Sequence, residues 1–179
     1  MTAGEMDVAF LFAKDAKLQW DYEMYTYYTG LKFGLGTLVL MALSPVARHL
    51  GVSDGVMAIV GLVSRMVGMI LEGFATSTAV MFAVPVVSMF NTFCLPSIRS
   101  MLSKQVETSE LGQLFAFVAS VENVCVLLGS VIFNSLYPIT RLIFRGLIFE
   151  LCAVLLCCPF VILLFLEIKS RRQRQSSPS

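Results

Sequence analysis

The chain has 179 residues, of which 57% are hydrophobic and only 14% charged, with a mean hydropathy of +0.80. Soluble domains run near half apolar and about a quarter charged, so this composition excludes an ordinary soluble domain. The net charge of +1 gives no basic face for nucleic acid.

The apolar residues gather into runs of about 20, the length that crosses a hydrocarbon core. Without water to satisfy the backbone, such runs must be helices or a closed barrel, and continuous runs without alternation select helices. The opening MTAGEMDVAFLFAKDAK carries Glu5 and Asp7 where a signal peptide would be basic, and its apolar core is short. Residues 1–16 read instead as the end of a truncated transmembrane helix. Five spans follow, at about 23–43, 55–74, 77–98, 111–136 and 146–166, so that residues 17–166 form one five-span bundle. Pro45 is expected to close the first span and Pro138 the fourth, with loops centred near 48, 75, 105 and 140. Gly30 and Gly34, in GLKFG, have the small-xxx-small spacing of helix packing. Residues 167–179, EIKSRRQRQSSPS, read as a disordered polar tail on the cytoplasmic side.

Lys and Arg in the loops set the orientation. Arg48, Arg99, Lys104, Lys169, Arg171, Arg172 and Arg174 fall on one side, and Lys14, Lys17, Arg141 and Arg145 on the other. The first side, with the C-terminus, is therefore expected in the cytoplasm. The five cysteines lie inside apolar runs, and the adjacent pair Cys157 and Cys158 suits neither a zinc site nor an intrachain bridge. The single histidine, His49, has no ligand-spaced neighbour, so no metal or cofactor is expected. No nucleophile–base constellation or phosphate loop is present, which argues against an enzyme.

A charge at the bilayer centre costs about 2.5–3.5 kcal/mol on insertion scales, so each one invites a role. Lys32, Arg65 and Glu122 are the deepest, with Glu72, Glu150 and Arg99 nearer the rims. At about 100° per residue, Ala116, Ala119, Ser120, Glu122, Asn123, Ser130 and Asn134 share one broad face of the fourth span. Phe117, Val121, Val124, Leu128 and Ile132 share the other. A polar, small-residue face opposite a greasy one describes a helix between a cavity and lipid. Glu122 then either carries a proton or pairs with a neighbouring cation such as Arg65. Lys32 either faces substrate or snorkels to the outer rim.

Two stretches, PSIRSMLSKQVETSELGQLFAF (96–117) and IFNSLYP (132–138), resemble the proton-coupled folate transporter family, solute carrier family 46, within the major facilitator superfamily. Weaker similarity extends upstream through Trp20 and Asp21. The resemblance implies the C-terminal half of a twelve-helix transporter, with the spans here as helices eight to twelve and residues 1–16 ending helix seven. It implies a cytoplasmic gate in the loop with Lys104, Glu107, Glu110 and Gly112, whose charges exchange partners as the halves rock. Locally, Ser109, Glu110 and Gly112 suit a helix entry, and Lys104 and Glu107 are close enough to pair if that stretch is helical. Arg99 matches an arginine tied in the family to substrate and proton handling. At Glu122 the chain departs from the folate-transporting member, which has an uncharged amide there, and this counts against folate itself as substrate.

The expected function is that of a fragment of a secondary transporter, proton-coupled, moving a folate-like or other organic anion. Its pathway would use Arg99, Glu122, Asn123, Lys32 and Ser130, and its partners would be the bilayer, protons and the missing N-terminal half. The membrane would be the plasma membrane or the lysosome. The alternative is a truncated, non-transporting membrane protein that acts as a scaffold or regulatory partner.

Overall fold

The computed structural model describes residues 3–15, 20–140 and 146–176. The helices are α1 (Ala3–Asp15), α2 (Tyr22–His49), α3 (Asp54–Gly73), α4 (Thr78–Val87), α5 (Cys94–Ser103), α6 (Leu111–Thr140) and α7 (Leu147–Ser176). A 3-10 segment, Met89–Phe93, joins α4 to α5. Among the described residues there is no strand. Five stretches are long and apolar enough to cross a membrane, with α4, the 3-10 segment and α5 together making one of them. The fold is an all-α, multi-span helical bundle, and α1 adds part of a sixth apolar helix.

α3 is the hub. It starts at an N-cap, Ser53, whose hydroxyl accepts from the Val56 N–H, and it packs on α4, the 3-10 segment, α5 and α7. Its buried side reads Ala58, Gly61, Leu62, Ser64, Gly68, Met69 and Glu72, a helical stripe of small and apolar residues. α1 belongs to the core: Val8, Ala9, Phe12 and Ala13 are buried with Trp20, Tyr28, Met81, Val84, Ile148 and Phe149. Trp20 anchors the connection into α2 by donating its indole N–H to Thr78 Oγ1 at 3.1 Å. α6 packs chiefly on α1, lightly on α7, and no residue of its apolar window is fully buried.

Several expectations need correction. α2 runs through Pro45 to His49, and α6 runs through Pro138 to Thr140. Each proline lies within the last two turns of its helix, where the missing N–H perturbs only a short remaining stretch. The first loop is accordingly a turn at 50–53, closed by Gly51 at a φ of 69°. The loop expected near 140 is not reached before Thr140, and residues 141–145 lie outside the described residues. α7 continues as helix to Ser176, where a disordered tail from residue 167 was expected. A Cβ added at Gly30 or Gly34 would meet nothing within 4 Å, whereas one added at Gly36 would meet Thr92. The close helix approach on α2 is made by Gly36.

The third span is not one helix. Pro85 removes a donor inside α4, and the chain tightens into the 3-10 segment before α5 restarts it. At the break Ser64 Oγ of α3 donates to Val87 O at 2.6 Å, and Ser88 Oγ adds a second bond at 2.7 Å to Val84 O, which already accepts the Ser88 N–H. Backbone polar groups within a membrane need such partners. Gly61 and Gly68 let the broken segment approach: a Cβ on Gly61 would lie 2.8 Å from Cys94 N, and one on Gly68 would lie 2.7 Å from Ser88 Cβ.

Candidate functional site

α5 and α6 bring together the two charges that the sequence singles out most strongly. Arg99 Nη2 donates to Glu122 Oε2 at 2.6 Å. The Arg99 side chain is 47% exposed and that of Glu122 39%, so the pair sits on an open face of the bundle rather than in its core. The break in the third span starts α5 at Cys94, and Arg99 follows in its second turn. Asn123, the next residue after Glu122, is exposed. Ser130 lies two turns further along α6 and accepts from Asn134 Nδ2 at 3.4 Å. The partner of Glu122 is therefore Arg99, not Arg65.

Lys32 is held elsewhere. Its ammonium donates to Glu72 Oε2 at 3.2 Å and to the Tyr28 hydroxyl at 3.4 Å, while Tyr28 donates to Glu72 Oε1 at 3.2 Å. The ammonium also lies 5.5 Å from the centroid of the Tyr28 ring. This triad ties α2 to the last turn of α3, inside the bundle, and neither reading made from the sequence (substrate contact or snorkelling) describes it.

At the opposite end of α3, Asp54 Oδ2 accepts from Lys104 Nζ and, at 2.9 Å, from Ser100 Oγ. Lys104 thus reaches back to α3 instead of pairing with Glu107; residues 104–110 form turns, not a helix. Glu110 N donates to Glu107 O at 3.0 Å, and Glu110 O receives the N–H of Leu114 as α6 begins. Gly112 has open space around it. On the other flank, Ser53 Oγ donates to Glu167 Oε1 at 2.6 Å, so the carboxylate of α7 lies over the N-terminus of α3, beside Gly55. The Arg48 end of the bundle is therefore clamped from both sides of α3.

Asp54, Ser100, Glu167 and Tyr28 were not picked out from sequence. Asp54 follows a serine N-cap, and Glu72 and Lys32 are opposite charges in adjacent spans; those were the available signals. Among the described residues no three His, Cys, Asp or Glu side chains gather as a metal site.

The chain belongs to solute carrier family 46, the folate and bile-acid transporters of the major facilitator superfamily, at moderate identity over most of its length. It is 34% identical over 164 residues, 92% of this chain, to the proton-coupled folate transporter of Bos taurus. It is 32% identical over 171 residues, 96% of this chain, to the lysosomal proton-coupled steroid conjugate and bile acid symporter of Bos taurus, and 30% identical over 167 residues, 93% of this chain, to that of Homo sapiens. Those matches cover 35%, 37% and 36% of the relatives, so the chain spans about a third of the length of the curated relatives it matches. No family model matches. The homology is to transporters, in keeping with the reading that this is not an enzyme.

Proposed function

We propose that the chain forms part of a proton-coupled secondary transporter of organic anions, with the Arg99–Glu122 pair as its coupling element. The observation that carries this is the 2.6 Å contact on an open face of α5 and α6. A guanidinium bound to an internal carboxylate is an anion site already occupied by a competitor. Protonating Glu122 releases Arg99 to take a carboxylate or sulfate of the substrate, and losing the proton after release restores the pair. Substrate and proton then move together, as alternating access requires. The relatives whose names specify folate, or steroid conjugates and bile acids, support this substrate class, because all of these carry an acidic group on a large rigid body.

In this reading Asn123 and Ser130 line the same path, and the helices of an N-terminal half cover it. Lys32 serves by holding α2 on α3. The Asp54–Lys104–Ser100 clamp, with the loop through Glu107, Glu110 and Gly112, is the gate, at a cytoplasmic end marked by the basic residues. The membrane is that of the cell surface or the lysosome.

The test is uptake of folate, a bile acid and a sulfated steroid into vesicles holding the complete transporter, with and without a proton gradient. Gradient-driven uptake of at least one anion, lost in Arg99→Ala at equal protein level, is expected. Uptake of none, or uptake indifferent to Arg99, contradicts the proposal.

A further inference from the structure

Two cavities adjoin where α2 turns into α3. One is an apolar groove of about 230 Å³ between these helices, walled by Leu43, Val46, Leu50, Val56 and Val60 and floored by Phe93. The other is a polar cavity of about 790 Å³ at the Arg48 end of the bundle, reached by α2, α3, α5 and α7. Val52 lines both, so the groove and the polar cavity lie side by side.

The charges in the polar cavity are unequally used. Asp54 is engaged by Lys104 and Ser100, and Glu167 by Ser53. The side chains of Arg48 and Lys169 line the same space without a close ion pair to any described residue, although Arg48 is near enough to Asp54 to act on its charge. An apolar slot that ends beside two such cations, at the end of membrane-spanning helices, matches the two parts of one molecule. We infer that this is a binding site for an anionic phospholipid, with an acyl chain in the α2–α3 groove and the phosphate between Arg48 and Lys169.

Acyl chains find apolar surroundings everywhere in a bilayer, so the groove orients the lipid while the cations select it. A lipid seated there touches the 50–53 turn and the end of α7, the segments that flank Asp54 and Glu167. The polar cavity is lined by Asp54, Ser100 and Lys104 of the clamp but not by Arg99 or Glu122, and the inference does not rest on the transport proposal.

The test uses the full 179-residue chain in phosphatidylcholine nanodiscs, with trace spin-labelled phosphatidylserine or phosphatidylcholine labelled on the acyl chain. Electron paramagnetic resonance reads the protein-immobilised fraction. A roughly tenfold preference for phosphatidylserine is expected from two interfacial cations. It should fall to about twofold or less in Arg48→Gln/Lys169→Gln, which leaves the tail arginines and the Lys104–Asp54 pair intact. Val60→Trp, at an exposed position, should fill the groove and release the immobilised lipid of both kinds; Val46→Trp serves as a second such variant. A preference untouched by the double change means that the tail supplies it, and overturns the site. So does binding of inorganic phosphate that Arg48→Gln/Lys169→Gln abolishes while the two labelled lipids are immobilised equally, which marks a phosphate site without a lipid. If Val60→Trp leaves bound lipid unchanged but alters the oligomeric state by light scattering, the groove is a protein contact and the inference fails.

Discussion

The Lys32 ammonium lies 3.2 Å from a Glu72 carboxylate oxygen in the interior of the bundle, the lysine side chain 11% exposed and the glutamate 1%. Two opposite charges in neighbouring apolar helices neutralise each other where water is scarce, with the Tyr28 hydroxyl bridging them. Such a pair is costly to break and cheap to replace as a unit: removing one partner of a buried pair costs about 3–5 kcal/mol, whereas an apolar substitute for both is often neutral.

Lys32→Met alone and Glu72→Gln alone should therefore each lower the yield of folded protein in detergent and its midpoint of thermal unfolding. Lys32→Met/Glu72→Gln should recover much of the loss. A double variant as poor as the sum of the singles would mean that the two residues act independently.

The clamp at the other end of α3 predicts a local effect with little change in global stability. Lys104 is well exposed, so its pair with Asp54 contributes under about 1 kcal/mol to folding. Asp54→Asn should leave thermal unfolding nearly unchanged while the end of α5 loosens. Hydrogen exchange over residues 100–104 should become several-fold faster. Unchanged exchange would show that Asp54 does not hold α5.

Close packing between α3 and the broken span rests on Gly61. Its neighbours are backbone atoms, Cys94 N and Phe90 O, which cannot turn aside as a side chain can. Gly61→Ala should destabilise by about 1–3 kcal/mol through overpacking. Gly34→Ala, with nothing nearby, should be neutral or slightly stabilising through helix propensity. Equal unfolding midpoints for the two variants would contradict this assignment of the packing glycines.

Helix number and placement were legible because each apolar run records a requirement of the bilayer along the chain itself. Interruptions were read less well. Pro45 and Pro138 looked like stops, yet near a helix end a proline removes one bond and the helix continues. Pro85 drew no attention, although the 3-10 segment follows it and Ser64 from α3 donates to Val87 O at the break. Periodicity placed Glu122 on the polar face of its own helix but carried no record of which helix stands opposite. Arg99 lies 23 positions away on α5, and only the three-dimensional order of the helices selects it over Arg65. The same limit hid the contact between Lys32 and Glu72, 40 positions apart, and redirected Lys104 from its near neighbour Glu107 to Asp54.

The most direct test of the coupling proposal is the external-pH profile of anion uptake by the complete transporter carrying Glu122→Gln. The amide keeps the shape of the side chain and can still accept from Arg99, and the pair is partly exposed, so expression and surface level should match the parent protein. The parent's uptake should rise as external pH falls, because protonation frees Arg99. In the variant no proton can be taken up at that position, and uptake should be flat across the same range. Well-folded Glu122→Gln protein that retains the parent's pH profile would contradict the assignment of coupling to the Arg99–Glu122 pair.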